Sequence, residues 1–261
     1  MIASRWRAAL LVSSGLLLIP LQAAQSAPQS APSHASQTVV GSRSIDPRAL
    51  EALRNMSAYL RTLSSFQIHA ATNREEIGDR GQIIHYTGNI DYKIRRPNGF
   101  LVRSNEAGRQ RQLSYDGKTL TLFTPNTGYY TSVKAPPTIR ETLAMAADHY
   151  DIHPPLVELF KWSAGDVRER KLTSARWVGQ TVVNGQQADE YAFRQPGRTW
   201  RIAIARGDRP LPLRISVTGT DTPKRLTFSS TLAWNTSTQF AENTFAFNPP
   251  PGARQIGIAS G

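Results

Sequence analysis

The chain has 261 residues, with 31 lysines and arginines against 19 aspartates and glutamates, a formal net charge of +12, and no cysteine. Without cysteine there is no disulfide framework, no zinc–thiolate site, no cysteine nucleophile and no lipidated cysteine to act as a membrane tether. The basic balance favours anionic contacts such as phosphate head groups, lipopolysaccharide or acidic glycans.

The first residues read as an export signal. Arg5 and Arg7 precede a short apolar stretch from Ala8 to Leu21, and small residues (Ala23, Ala24, Ser26, Ala27) follow it, so a signal peptide is expected over residues 1–26. The stretch is short for a membrane span. Trp6 separates the two arginines, which favours the general secretory route over twin-arginine export. The mature chain is expected to be periplasmic, soluble, not lipidated and without a transmembrane anchor. Residues 27–45 are rich in Ala, Pro, Ser and Gln, the composition of a disordered leader. Removing residues 1–45 takes out Arg5, Arg7 and Arg43, which leaves 28 basic against 19 acidic residues, or +9. These charges are scattered singly along the chain. They therefore read as a solvated basic surface, with contact to an anionic envelope surface as the lesser expectation, and no nucleic-acid stripe is formed.

A single domain is expected over residues 46–257. Asp46 suits an N-cap and Pro47 the first helical position, and Leu50, Leu53, Met56, Leu60 and Leu63 share one apolar face. Strands are expected over 65–73, 81–87, 89–95, 100–104, 111–115, 119–124 and 129–134, with Asp116-Gly117 as a strong hairpin turn. Thr138 and Glu141 form a capping box that opens a second helix, and Leu156, Leu159, Phe160 and Trp162 suggest a third after Pro154-Pro155. Strands resume over 177–183 and 188–194 across Asn184-Gly185, then over 199–205, 213–218 and 224–234, with a tail strand at Phe245–Phe247.

Most of these strands alternate. Ile90, Tyr92 and Ile94 interleave with Asp91, Lys93 and Arg95, and Trp200, Ile202 and Ile204 with Thr199, Arg201 and Ala203. A period of two gives each strand a dry face and a wet face. About ten or eleven strands and about three helices imply a mainly β, α+β fold. Sequential hairpins make the sheet antiparallel. Helices placed before and between two strand blocks suit a strongly curved half-barrel with the helices plugging its concave side. Three short helices leave much dry face to cover, so an apolar concavity is the leading functional expectation. Its lining would come from Ile90, Tyr92, Ile94, Leu120, Leu122, Trp200, Ile202, Leu213, Ile215, Leu226 and Phe228, with Leu143, Leu159, Phe160 and Trp162 on the plug.

Catalytic and metal motifs compete weakly. His149 and His153 have the i, i+4 spacing of metal ligands, but Pro154-Pro155 stop the helix inside the motif, so a solvated or capping role is expected. No G-x-S-x-G elbow occurs. His69 and His85 read as ordinary strand histidines, and the carboxylates Glu75, Glu76, Asp79, Asp91 and Glu190 show no glycosidase-type pairing. No catalytic residue, metal or cofactor is expected.

Four segments carry a resemblance: DPRALEALRNMSAYLRTLSSFQI, YDGKTLTLFTPNTGYYTSV, HYDIHPPLVELF and FAENTFAFNPPPGA. Over residues 46–255 the chain resembles a domain-of-unknown-function family of predicted periplasmic bacterial proteins, itself similar to LolA-type lipoprotein carriers and LppX-like proteins. The resemblance implies an unclosed β-barrel whose apolar concave side is plugged by helices and can hold an acyl chain. The arginine that latches the carriers' lid falls on no matching motif here and is not carried over. The function expected is a non-enzymatic binding protein or carrier for a lipid, acyl chain or lipoprotein. The alternative is an envelope scaffold or sensor that binds another protein, with a periplasmic hydrolase behind both.

Overall fold

The computed structural model describes residues 44–78, 80–165, 169–220 and 227–257. The expected signal peptide and most of the leader, together with Asp79 and Leu226, lie outside the described residues.

Thirteen strands among the described residues form one sheet. In chain order they are β1 (Ser44–Ile45), β2 (Ser65–Ile77), β3 (Ile83–Arg95), β4 (Gly99–Glu106), β5 (Arg109–Tyr115), β6 (Thr119–Thr124), β7 (Tyr129–Lys134), β8 (Ser174–Val183), β9 (Gln186–Gln195), β10 (Arg198–Ala205), β11 (Pro212–Gly219), β12 (Thr227–Asn235) and β13 (Arg254–Gln255). The helices are α1 (Pro47–Thr62), α2 (Ile139–Tyr150) and α3 (Val157–Ser163). The spatial order is β1-β8-β9-β10-β11-β12-β2-β3-β4-β5-β6-β7-β13, so β12 closes back onto β2 and joins the two hairpin blocks. Of these strands, only the two-residue ones at the ends pair in parallel.

Local chemistry explains most boundaries. Asp46 caps α1 by accepting from the Arg48 N–H at 2.9 Å, and Pro47 leads the helix. Thr138 and Glu141 make the capping box of α2, with the Glu141 N–H donating to Thr138 Oγ1 at 3.3 Å and the hydroxyl donating back to the carboxylate at 2.6 Å. Asn184 and Gly185 both have positive φ (49° and 76°), as a tight two-residue hairpin turn between twisted strands requires.

Four expectations need correction. The segments 81–87 and 89–95 are one strand, β3; Gly88 breaks nothing, because it lets β4 pass close, where a Cβ would sit 2.4 Å from the Asn105 carbonyl oxygen. Phe245–Phe247 is no strand, since residues 242–245 form a 3-10 turn and Phe245 plugs into the sheet beside Gly99. Ser44 and Ile45, at the end of the expected leader, pair with Ser174 and Ala175, and Ile45 packs on the core. Leu213 leaves the main core altogether: β11 carries one extra residue against β10, with Ala203 opposite Arg214 and Ile204 opposite Pro212. That bulge turns Leu213 to the other side, into a smaller cluster with Val183, Ala188 and Ala203.

The sheet wraps around its helices. Phe160 of α3 packs on Tyr92 of β3 and Phe100 of β4, while Trp162 of the same helix packs on Trp200 of β10. Strands β10 and β4 are five steps apart in the sheet, about 24 Å if the sheet were flat. A seven-residue helix is only about 10 Å long. One short helix therefore touches both blocks because the sheet is bent into an open half-barrel.

Candidate functional site

The concave face is nearly full. Tyr92 and Ile202 are 0% exposed and Leu120 1%. A single buried cluster joins them to Leu53 and Met56 of α1, Leu143 of α2, and Leu159, Phe160 and Trp162 of α3. Three helices thus cover the dry face that the alternation predicts, because the sheet curves in to meet them and aromatic side chains fill the distance. Phe193 and Trp200 add a stacked pair at 4.2 Å between ring centres.

A cleft of about 100 Å³ remains, between α3 and strands β10–β12. Its wall is formed by Leu156, Trp162, Trp200, Ile215, Val217 and Phe228, and its mouth by Glu158, Lys161, Gln195 and Arg198. The Arg198 guanidinium donates to Glu158 Oε1 at 3.3 Å. The Gln195 carbonyl faces either the Trp200 indole N–H at 3.3 Å or, with its amide turned, the Arg198 guanidinium at 2.7 and 3.1 Å. The result is an apolar interior with an ionic mouth.

The helix over this cleft is weakly secured at its start. Leu156 sits in the left-handed region (φ 51°) with no side-chain cap on α3, a conformation that costs a bulky residue about 1–3 kcal/mol. Besides the Arg198–Glu158 contact, the Tyr92 hydroxyl donates to the Pro155 carbonyl at 2.8 Å, and the Ser57 hydroxyl of α1 to the Trp162 carbonyl at 2.7 Å, holding the segment down. Burial pushes the Tyr92 hydroxyl pKa far above its ordinary value.

Of the residues expected from the sequence, Trp162, Trp200, Ile215 and Phe228 meet at the cleft. Ile90, Tyr92, Ile94, Leu120, Leu143, Leu159, Phe160 and Ile202 lie in the core instead, and Leu122 is half-buried against it. The alternation places Leu213 on the wrong face, for the reason given above. It says nothing of Leu156, Glu158, Lys161, Gln195, Arg198 and Val217. Of these, Arg198 and Val217 left a trace, sharing strand faces with Trp200 and Ile215 two residues away, and Leu156 belongs to the apolar pattern that suggests the third helix.

The other candidates stay apart. Helix α2 ends at Tyr150 with Asp151 in the left-handed region, so His153 lies beyond the helix and pairs with Asp151 at 2.9 Å. His69 and Asp91 face each other across β2 and β3 at 2.8 Å, both well exposed, and His85 lies 3.9 Å from Glu75. Among the described residues no three histidines or carboxylates converge as metal ligands.

The family whose pattern matches this chain is described as "Predicted periplasmic protein (DUF2092)", and the match spans residues 49–259. The chain belongs to that family. No curated protein matches it in sequence. Among solved structures it is similar to an uncharacterized conserved protein from Thermus thermophilus (14% identity, TM-score 0.47, 80% of this chain and 98% of that one). It is also similar to the lipoprotein LppX of Mycobacterium tuberculosis (14%, 0.45, 74% and 98%). A third similar structure is a LolA superfamily protein from Nitrosomonas europaea (11%, 0.36, 76% and 97%). Among the described residues of this family member, no helix is long and apolar enough to cross a membrane.

Proposed function

We propose that this protein is a periplasmic, non-enzymatic binding protein or carrier for the acyl chain of a lipid or lipoprotein. The chain enters between α3 and β10–β12, and an anionic head group rests at the mouth near Arg198 and Lys161. On this reading the signal peptide is removed after Sec export and the mature chain stays soluble and unlipidated. The observation that supports it is the cleft, apolar within, ionic only at its mouth, and roofed by a short helix with a strained, uncapped start.

At about 100 Å³ the cleft is smaller than the ~150 Å³ cavity that accommodates benzene. A full acyl chain therefore displaces α3. Lifting the helix re-exposes Leu156, Leu159, Phe160 and Trp162, at a cost on the order of 6–12 kcal/mol for four side chains. Sixteen buried methylenes return on the order of 10 kcal/mol. The exchange is close to even, so the closed state holds without ligand and a long chain selects the open one. Short chains leave it shut.

Mass spectrometry of organic extracts from protein purified without detergent tests this reading, alongside uptake of fluorescent fatty acids of increasing length. Co-purifying lipid and uptake rising steeply with chain length are expected. No lipid and no uptake at any length would sink the proposal. A second reading, a scaffold that binds another protein, then takes over, favoured by the full concave face and by the edge strand β8. There β1 covers only Ser174 and Ala175, while Trp177, Val178 and Val182 stand exposed.

A further inference from the structure

The convex face holds a second cavity, about 290 Å³, which shares no lining residue with the cleft. Its floor is the outer side of β5–β7. Leu113 and Tyr115 point into the core, so Ser114 between them points out. The strand register sets Ser114 opposite Thr121, and Thr121 opposite Ser132. Three hydroxyls therefore stand in a row across three strands, about 5 Å apart. The roof is the C-terminal tail, where Phe247 packs on Phe123 and Tyr130 with ring centres 5.3 and 5.1 Å apart.

The row is unevenly satisfied. Thr121 and Ser132 bond each other at 2.8 Å. Ser114 is 2% exposed, and its hydroxyl has no hydrogen-bond partner among the described residues. A buried hydroxyl left so costs about 1–3 kcal/mol, and a ligand hydroxyl removes that cost. Charge narrows the choice of ligand. Among the described residues no lysine or arginine lines the cavity, and the carboxylate on its wall, Asp116, already accepts from the Lys118 and Thr119 N–H groups at 2.9 and 2.8 Å. An anion finds no counter-charge there. The volume lies near the lower end of the ~300–1,000 Å³ typical of small-molecule sites.

We propose that this chamber binds a neutral polyhydroxylated ligand, a saccharide unit, whose hydroxyls meet the Ser114–Thr121–Ser132 row and whose C–H face rests on Phe247. The electron-rich face of an aromatic ring suits such C–H groups. The site is independent of the acyl cleft on the other side of the sheet.

Saturation-transfer NMR on the mature protein, with glucose, N-acetylglucosamine and maltose as probes and inorganic phosphate and glucuronate as anionic controls, tests the proposal. At least one neutral sugar should receive saturation and the anions none. Ser114→Ala and Thr121→Val should each weaken that binding roughly tenfold, the size of one good hydrogen bond lost in a dry site. Ser114→Ala removes a hydroxyl that bonds none of the described residues, so its Tm should not fall, and fatty-acid uptake should match wild type. The proposal fails if no neutral sugar is saturated at millimolar concentrations, if the anions are preferred, or if both variants bind like wild type.

Discussion

On its concave side the sheet meets three helices and closes to a dry core with about 100 Å³ of apolar cleft, whereas its convex side under the C-terminal tail keeps about 290 Å³ lined with hydroxyls. One sheet supplies both walls, through β10–β12 for the cleft and β5–β7 for the cavity. The difference lies in what covers them. A helix satisfies its own backbone and offers side chains at a regular 3.6-residue period, so it can interdigitate with a curved sheet. The tail, with Pro249, Pro250 and Pro251, has little regular structure and is pinned at separate points. These are Phe245 beside Gly99, the Arg254 N–H on the Gly128 carbonyl, and the Ile256 N–H on the Tyr130 carbonyl. Between such points polar space survives.

The largest test of this contrast compares one aromatic from each side. Phe160→Ala should cost about 3–5 kcal/mol, read as a fall in the denaturation midpoint, and should let shorter fatty acids bind by loosening α3. Phe247→Ala, at a half-buried ring, should cost about 1–2 kcal/mol and leave acyl uptake alone. Equal costs would break the distinction between a packed face and a loosely roofed one.

Tyr92→Phe should act more gently. It deletes the bond to the Pro155 carbonyl for about 1 kcal/mol and should shift the chain-length threshold for uptake downwards. It also has a pH signature. The folded pKa of Tyr92 is raised above the ordinary value of about 10, so its contribution is fully present below that pH and lost as pH climbs through the raised folded value. The variant should lose stability less steeply above about pH 10 than wild type does. Tyr115 and Tyr191, raised in the same direction by burial, keep part of that slope.

The smallest effect is expected at the rim of the concave side. Arg54 of α1 grips Glu169 at 2.7 and 2.5 Å and holds its carboxyl below the usual range. A lowered folded pKa contributes stability above the unfolded value of about 4.3 that is lost as pH falls through the folded one. In a Tm series from neutral to acid pH, Glu169→Gln should be shallower than wild type below about pH 5. An unchanged acid limb would show that this strap does not bind α1 to the segment after α3.

Much of this was legible in the residues. Strands β6 and β7 run over the expected residues, as do the starts of α1 and α2, because alternation, caps and Asn-Gly or Asp-Gly turns act within a few residues of one another. The cleft was legible only in part. Trp162, Trp200, Ile215 and Phe228 followed from alternation and helix period, but Glu158, Lys161 and Arg198 gain meaning only when α3 is laid across β10. Leu213 went astray because a single extra residue in β11 inverts its side, and Phe245 because its partner is Gly99, far away in the chain.

By itself, then, the sequence determined a mainly β chain with dry-faced strands, three helices and the caps of α1 and α2, since all of these depend on neighbours along the backbone. Whether the dry faces would enclose empty space or side chains was decided by the tertiary structure alone. Sheet curvature, the β11 bulge and the path of the tail are set by contacts between residues remote in sequence. Those contacts filled the concave face to a narrow cleft and left the polar chamber on the other side.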